Sequence, residues 1–434
     1  MQFQYGIDSR VPFLKSVLFG LQWAAILISS IVILGKVMGV LHFDDPLCRI
    51  VYLQKLLFLS AGTLVCQVFW GHRLPVVPGP ATVLLIGVMA SQGFGMPAVY
   101  TSVMIGGAFI AVLAITGLFG HVQKLFTANV VAVVLLLIAF TLAPAIMGMI
   151  IGQGSGVDPF LNVCFAFALL FLMFGCYRLL QGIWKSTLMI WAMVAASIVY
   201  FFVFPAAQLD RLFLKAPWFS GFFQQMIVDP SIQPGVLMSF IFCFLALSVN
   251  DLGSMQAVGE LLEAGDMTGR IKRGVLLTGL ANVASGFLGV IGPVNYSLSP
   301  GVIASTGCAS RFTLLPAAVV MGALAFFPAA TGFIGSVPSV VIGAVLAYIM
   351  ASQVAAGLAI AFSGEKGAGF TFENGLVIGL SVLLGNMVAF FPSHAINAMP
   401  PFLRPILGNG FVVGVACALI LERVLATGNH DGIN

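Results

Sequence analysis

The feature that most limits what this chain can become is a succession of apolar runs, each about twenty residues long and almost free of charge. A helix rises about 1.5 Å per residue, so ~20 apolar residues cross the hydrocarbon of a bilayer. Full-length runs lie at 13–38, 53–70, 98–119, 128–151, 160–180 and 185–207, and a second series at 236–256, 271–291, 313–333, 339–362, 375–391 and 404–425. Two shorter apolar pieces, 79–91 and 299–310, fall between the second and third members of each series, so that fourteen segments are expected. Hydrophobic residues make up 60% of the chain and charged residues 7%, a balance that a single water-soluble core does not accommodate. An all-α polytopic membrane protein follows. No small-residue cleavage site follows the first run, which is therefore read as a retained span and not a signal peptide.

Because charge is scarce, its placement informs topology. Cytoplasmic loops carry the excess of Lys and Arg. With the N-terminus inside, twelve basic residues, among them Arg10, Arg73, Lys185, Arg270 and Arg311, fall on the inner side. Six (Lys36, Arg49, Lys55, Arg211, Lys215 and Arg404) fall outside. This asymmetry predicts an even number of spans, a multi-pass protein of the inner or plasma membrane, and both termini in the cytoplasm. The formal charge of +4 is read as topology, and nucleic acid is not an expected partner. The seven cysteines and five histidines show no metal-type spacing, and no nucleophile–base pairing or phosphate loop in its proper context is found. The glycine-rich stretch at 152–156 reads as a turn at a span end. Neither a metal site, a catalytic site nor an enzyme is expected.

The two short pieces carry the architectural argument. Each follows a proline-punctuated stretch, Pro75 to Pro80 before the first and Pro293 to Ser297 before the second. Proline cannot donate a backbone hydrogen bond and disfavours helix in the residue before it. Spans 3 and 10 are therefore expected to be broken, each part extended and part helical. Irregular backbone at membrane depth is tolerated only where protein or a cavity satisfies it, and broken spans at matching positions of two halves mark a midplane site. With seven spans each, the halves are expected to be inverted repeats. A polar, aromatic and proline-containing linker at 208–235 joins them outside the membrane, with a short interfacial helix as an option.

Few polar residues lie inside the runs. Asp251 is the acidic residue within a span, where an ionisable group is costly and a functional candidate by default. It is read as a proton carrier, or as a group bonding a neighbouring helix end. Asn250 and Ser254 share one helical face, from which Asp251 is turned by about 100°. Ser299 reads as the cap of a half-helix with Pro300 just inside its start and Gly301 next, its free N–H groups facing a polar ligand. In the first half, Gly79 and Pro80 play the comparable part, with Thr82 supplying a hydroxyl. Gln22, inside the first span, is either a ligand contact or an interhelical bond.

These residues resemble those of the nucleobase–ascorbate transporters. Gly20-Leu21-Gln22-Trp23 resembles that family's first-span motif with Trp in place of His. Gly71-His72-Arg73-Leu74-Pro75 with Gly79 resembles the entry into its third span, and Gly279 to Gly286 its ninth. Pro300 to Gly307, followed by Ala309-Ser310-Arg311, is similar to its tenth-span signature. The resemblance implies two inverted sevens with a moving core of spans 1–4 (residues 1–127) and 8–11 (236–335). The gate would be spans 5–7 (128–207) and 12–14 (336–434), the surface of a homodimer. It implies an elevator-like secondary transporter for a purine or pyrimidine, coupled to H+ or Na+ and needing no other cofactor. It places Asn250, Ser254, Thr82, Leu298 and Ser299 at substrate positions. There the family carries a glutamate, a histidine or aspartate, an aromatic, a glutamate or glutamine, and an asparagine. The scaffold matches while the ligand shell departs, and Asp251 is the candidate to replace the missing glutamate. An anion transporter of the sulfate-permease type shares the architecture and would use the half-helix N-termini, although the chain ends about ten residues after its last span, without that type's soluble C-terminal domain. A channel or receptor on the same scaffold is a further alternative.

Overall fold

The apolar runs fold as helices over most of their length, and the breaks fall where proline, glycine or a capping side chain interrupts them. The computed structural model describes residues 3–120, 125–152, 156–205, 216–363, 371–392, 396, 398–400 and 402–428. Helix α1 covers Phe13–His42 and α2 Pro46–Phe69; between them Asp45 caps α2, its carboxylate accepting from the Leu47 N–H. Strand β1 (Pro78–Pro80) leads into the short α3 (Thr82–Ala90), followed by α4 (Gly95–Thr116). The run at 128–151 divides into α5 (Ala128–Thr141) and α6 (Ala143–Ile151), with Pro144 in the first turn of the second piece. Next come α7 (Pro159–Leu179), α8 (Gly182–Ser186) and α9 (Leu188–Val203).

The second half opens with α10 (Pro234–Leu261) and α11 (Met267–Leu288), then strand β2 (Pro293–Asn295) and α12 (Ser299–Thr306). A 3-10 turn at Arg311–Leu314 precedes α13 (Leu315–Leu324) and α14 (Pro328–Ile334). The run read as one span at 313–333 is thus bent by 108° before Pro328. The chain continues through α15 (Ser339–Ser363), α16 (Phe372–Ala389), α17 (Arg404–Leu407) and α18 (Gly410–Gly428). The last run breaks because Asn409 turns its carboxamide oxygen to the N–H groups of Phe411 and Val412 and caps α18. Among the described residues, eight helices are long and apolar enough to cross a membrane, or nine if the bent pair is one span.

Helices α1, α2, α4, α10, α11 and α13 pack on one another, and α5, α6, α7, α15, α16 and α18 form a second group. The α4–α11 crossing is set by glycine: a Cβ on Gly107 would lie 2.7 Å from the Gly279 carbonyl oxygen, and one on Gly279 equally close to that of Gly107. Backbones meet directly there, as small residues allow between membrane helices.

Residues 216–233 hold no helix; they are irregular and bonded down. Phe222 is buried against Phe58 and Phe326, and the Ile227 N–H donates to the Phe287 carbonyl. Lys55, expected among outside charges, is buried within α2, and its ammonium donates to the carbonyls of Leu288 (2.8 Å) and Gln225 (3.1 Å). Lys36 likewise lies within α1 and donates to the Val337 carbonyl. Lys55 thus meets one carbonyl at the end of α11 and one of the irregular connection, and Lys36 one in the turn between α14 and α15. Asp210, Arg211 and Lys215 of the linker, and most of the turn at 152–156, lie outside the described residues. The N-terminal segment runs beside the chain after α12: Gln4 N–H donates to the Gly307 carbonyl, Ala309 N–H to that of Tyr5, and the Arg311 guanidinium pairs with Asp8 at 2.7 Å.

Candidate functional site

The two proline-rich stretches meet. Strands β1 and β2 pair antiparallel, with Pro78 opposite Asn295 and Pro80 opposite Pro293. Three residues each, with prolines at their ends, are too few to satisfy their own backbone, and side chains from neighbouring helices complete the set. Tyr52 accepts from the Ile291 N–H, Asn282 donates to the Pro293 carbonyl, and Tyr296 donates to that of Pro80. Gly79 is required here, since a Cβ would lie within 2.6 Å of the Tyr296 ring.

Helix α10 holds the second stretch through the residues singled out in the sequence. The fully buried Asp251 carboxylate accepts from the Asn295 N–H at 2.9 Å. The Ser254 hydroxyl reaches the Asn295 carbonyl at 2.8 Å and the Ser297 hydroxyl at 2.9 Å, while the Asn250 carboxamide oxygen accepts from Ser297 at 3.2 Å. Asn250 and Asp251, although turned apart on the helix, therefore converge on one segment because that segment runs across their end of α10. Their partners are backbone and serine groups of this chain.

Ser299 is not a helix cap. Helix α12 begins at Ser299 with Leu298 before it. The Ser299 hydroxyl donates to the Tyr296 carbonyl and accepts from the Val77 N–H, joining the two broken stretches. The N–H groups expected to be free at the head of this helix are engaged. That of Ser299 donates to the Tyr296 carbonyl, and those of Gly301 and Val302 donate to the Leu298 carbonyl. Thr82 opens α3 half-buried, and Gln22 is buried on α1.

Beside this crossing lies a cavity of about 270 Å³. One wall is a single stripe of α12 and its entry: Leu298, Gly301, Val302 and Ser305. These residues recur at helical spacing, so the helix presents its flank and not its end. Ile26 of α1 adjoins them, and the opposite wall comes from Tyr177, Gly182 and Lys185, with Thr187, Met189 and Ile190. Of the sequence-selected residues, Leu298 and Gly301 line this cavity. Asn250, Asp251, Ser254, Thr82, Ser299 and Gln22 do not, and the first three and Ser299 hold the scaffold beside it. Tyr177 and Lys185, which line the cavity, were not selected from the sequence; Lys185 entered the sequence argument as an inside charge at a span end, the signal that could have placed it at a mouth. Among the described residues, no group of three His, Cys, Asp or Glu side chains is placed to hold a metal ion.

Comparison with known proteins gives one family. A family model described as Permease family matches residues 14–394. The chain is 25% identical over 389 residues to the nucleobase transporter PlUacP of Paenibacillus larvae, covering 88% of each chain. To the xanthine permease of Bacillus subtilis it is 25% identical over 412 residues, covering 90% of this chain and 88% of the relative. Among solved structures, the transmembrane domain of the cyanobacterial bicarbonate transporter BicA superposes with a TM-score of 0.64 at 17% identity, over 89% of this chain and 99% of that one. The murine anion transporter Slc26a9 superposes at 0.58 and 14% identity, over 97% of this chain and 70% of that one. At those identities the likeness is one of fold.

Proposed function

Because the chain belongs to the permease family of nucleobase–ascorbate transporters, we propose that it is a secondary active permease for a nucleobase, bound in the cavity between α12 and the α7–α9 wall. The observation that carries this reading is the character of that cavity. Ile26, Leu298, Val302, Met189 and Ile190 make its lining mostly apolar, with a few polar groups among them, as suits a heteroaromatic ring. A small hydrated anion would meet Lys185 there but would have to shed its water against the apolar remainder of the lining. The amides at the head of α12, one of the two half-helix ends that would hold an anion, are bonded within the chain. The shared fold with anion carriers thus supports a common scaffold, while the lining supports a base.

In this reading the packing group containing α10, together with the α12 that adjoins α10, is the moving body and the group containing α5 and α15 is the fixed one, with an elevator-like displacement between them. Asp251 is the proton site: it is the buried carboxyl on α10, and the Asn295 N–H it holds begins the segment that carries α12. Proton loading would then alter how firmly the substrate-bearing stretch is seated. Na+ is the alternative coupling ion, and a gate-mediated dimer the expected assembly.

The direct test is thermal stabilisation of the purified protein by a panel of bases, ascorbate, sulfate and bicarbonate, since a ligand that binds the folded state raises its stability as ln(1 + [L]/Kd). Stabilisation by xanthine, uracil or adenine and not by the inorganic anions is expected. A shift confined to the anions would replace the nucleobase reading with the sulfate-permease one.

A further inference from the structure

Away from the cavity, a file of side chains reaches the paired strands from the far end of α1, and it contains a group that changes charge. His42 ends α1 half-buried, while Tyr100 of α4 and Tyr52 of α2 are fully buried. The His42 Nε2 and the Tyr100 hydroxyl are 2.9 Å apart, and the Tyr100 and Tyr52 hydroxyls 3.2 Å apart. The Tyr52 oxygen accepts from the Ile291 N–H at 3.1 Å. Ile291 leads into β2, and the next carbonyl, that of Gly292, accepts from the Ala81 N–H just after β1.

Counting protons fixes the direction of this file. Among the described residues Tyr52 has two hydrogen-bond partners, and its oxygen already accepts from Ile291. Its own proton therefore goes to Tyr100, and that of Tyr100 to a lone pair on the His42 Nε2. Every proton then has an acceptor, as buried groups require. A charged His42 carries a proton on both ring nitrogens and has no lone pair to offer. It must donate to Tyr100, Tyr100 must turn to Tyr52, and the Tyr52 proton is left without an acceptor. A buried unpaired hydroxyl is costly, and the cost is relieved when Tyr52 turns away from Ile291. The charged groups about His42 lie in the turn after it and on α2. They are Asp44, Asp45, which caps α2, and Arg49, which donates to the Phe43 and Asp44 carbonyls. Further along α2, Cys48 bonds to Asp45 and Gln225, and Lys55 is turned to carbonyls. Tyr52 and Tyr100 face the ring from α2 and α4. The connection at 216–233, bonded to α4 through the Ser231 N–H and Thr101, carries Asp229. No ion pair among the described residues engages His42.

We propose that His42 is a pH-sensing positioning residue: its charging reverses the file through Tyr100 and Tyr52 and loosens the hold on Ile291, so that acidity at the end of α1 unseats the entry to β2. Histidine changes charge between about pH 5 and 8. The device is separate from Asp251, which holds the other end of β2 through Asn295. In a permease of the kind proposed above, it makes the seat of the α12 stretch answer to the pH on the face opposite the N-terminus. The hold on Ile291 itself does not depend on that reading.

The test is amide hydrogen exchange of the full chain without substrate, read over residues 289–292 at about pH 8 and about pH 5 and corrected for the intrinsic pH dependence of exchange. On acidification, wild type should gain about fivefold in corrected rate there, the weight of one net hydrogen bond. His42→Gln, whose carboxamide oxygen accepts from Tyr100 and never charges, should lose that gain. Asp251 is intact in both proteins, so their difference belongs to His42. Tyr100→Phe breaks the file, and in that background His42→Gln should make no further difference to the gain. His42→Gln with the wild-type gain overturns the proposal. An effect of His42→Gln that persists undiminished beside Tyr100→Phe overturns it too, since His42 then acts through its own charge and not through the file. Should Tyr100→Phe fail to fold, Tyr52→Phe takes its place, because it also parts His42 from Ile291. No ligand enters these measurements, so their failure leaves the nucleobase reading standing, and failure of that reading shows in the thermal panel instead.

Discussion

At Asp251 the sequence and the structure answer different questions. Scarcity of charge marked the residue, because an ionised group inside a span is expensive unless it is used. What it touches was hidden, since its partner, the Asn295 N–H, lies 44 positions away on a strand whose course no local pattern reveals. The contact separates two roles that one substitution can divide. Asp251→Asn keeps an oxygen able to accept from Asn295 and removes the titrating group. It should express and melt like the wild type while uptake loses its pH dependence, measured in vesicles across a pH series. Asp251→Ala also orphans the amide, and a buried unsatisfied group costs about 1–3 kcal/mol, so its melting temperature should fall as well. Normal pH dependence in the Asn variant would remove Asp251 from the coupling mechanism and leave it as the anchor of β2.

Among the elements, glycine decides how closely helices approach, and a glycine of α11 and one of α10 behave differently. Gly279 abuts the backbone of α4 with no room for a Cβ, whereas a Cβ on Gly253 of α10 meets nothing within 4 Å. Gly279→Val should separate α4 from α11 and sharply lower the yield of folded protein, read by size-exclusion profile and thermal melt. Gly253→Ala should be neutral or stabilising by up to about 1 kcal/mol, since alanine is the better helix former. Equal damage from both would mean that the α4–α11 crossing is looser than described. Helix breaks follow a similar logic. Pro328 and the Asn409 cap stand in the sequence as ordinary turn signals, yet inside long apolar runs they were read through, because hydropathy averages over a window and a single break hardly changes it.

For the whole molecule, apolar side chains such as Phe171, Leu172, Phe174 and Phe202 stand on the outside, the arrangement lipid requires and water penalises. The cavity lies where α12 faces α7–α9, so a carrier that slides one packing group past the other must shear it. Paired cysteine replacements at Ser305 and Met189, which line it from opposite sides, should halt uptake when bridged by a short bifunctional thiol reagent. Undiminished uptake in the bridged protein would rule out relative movement across this cavity.

By itself the sequence determined the solvent of this chain, the positions of most helices and the two proline-broken stretches, since each follows from local terms: hydropathy over about twenty residues, the missing proline N–H and the cost of isolated charge. The family resemblance was legible for the same reason, in contiguous motifs. Tertiary structure decided that the broken stretches pair with each other, that Asn250, Asp251, Ser254 and Ser299 hold that pairing instead of lining the cavity, and that Tyr177 and Lys185 complete the lining. The physical reason is that a backbone stripped of its own hydrogen bonds takes partners from whichever helices fold beside it. Which side chains are thereby used up, and which are left to meet a ligand, is settled only when those helices are in place.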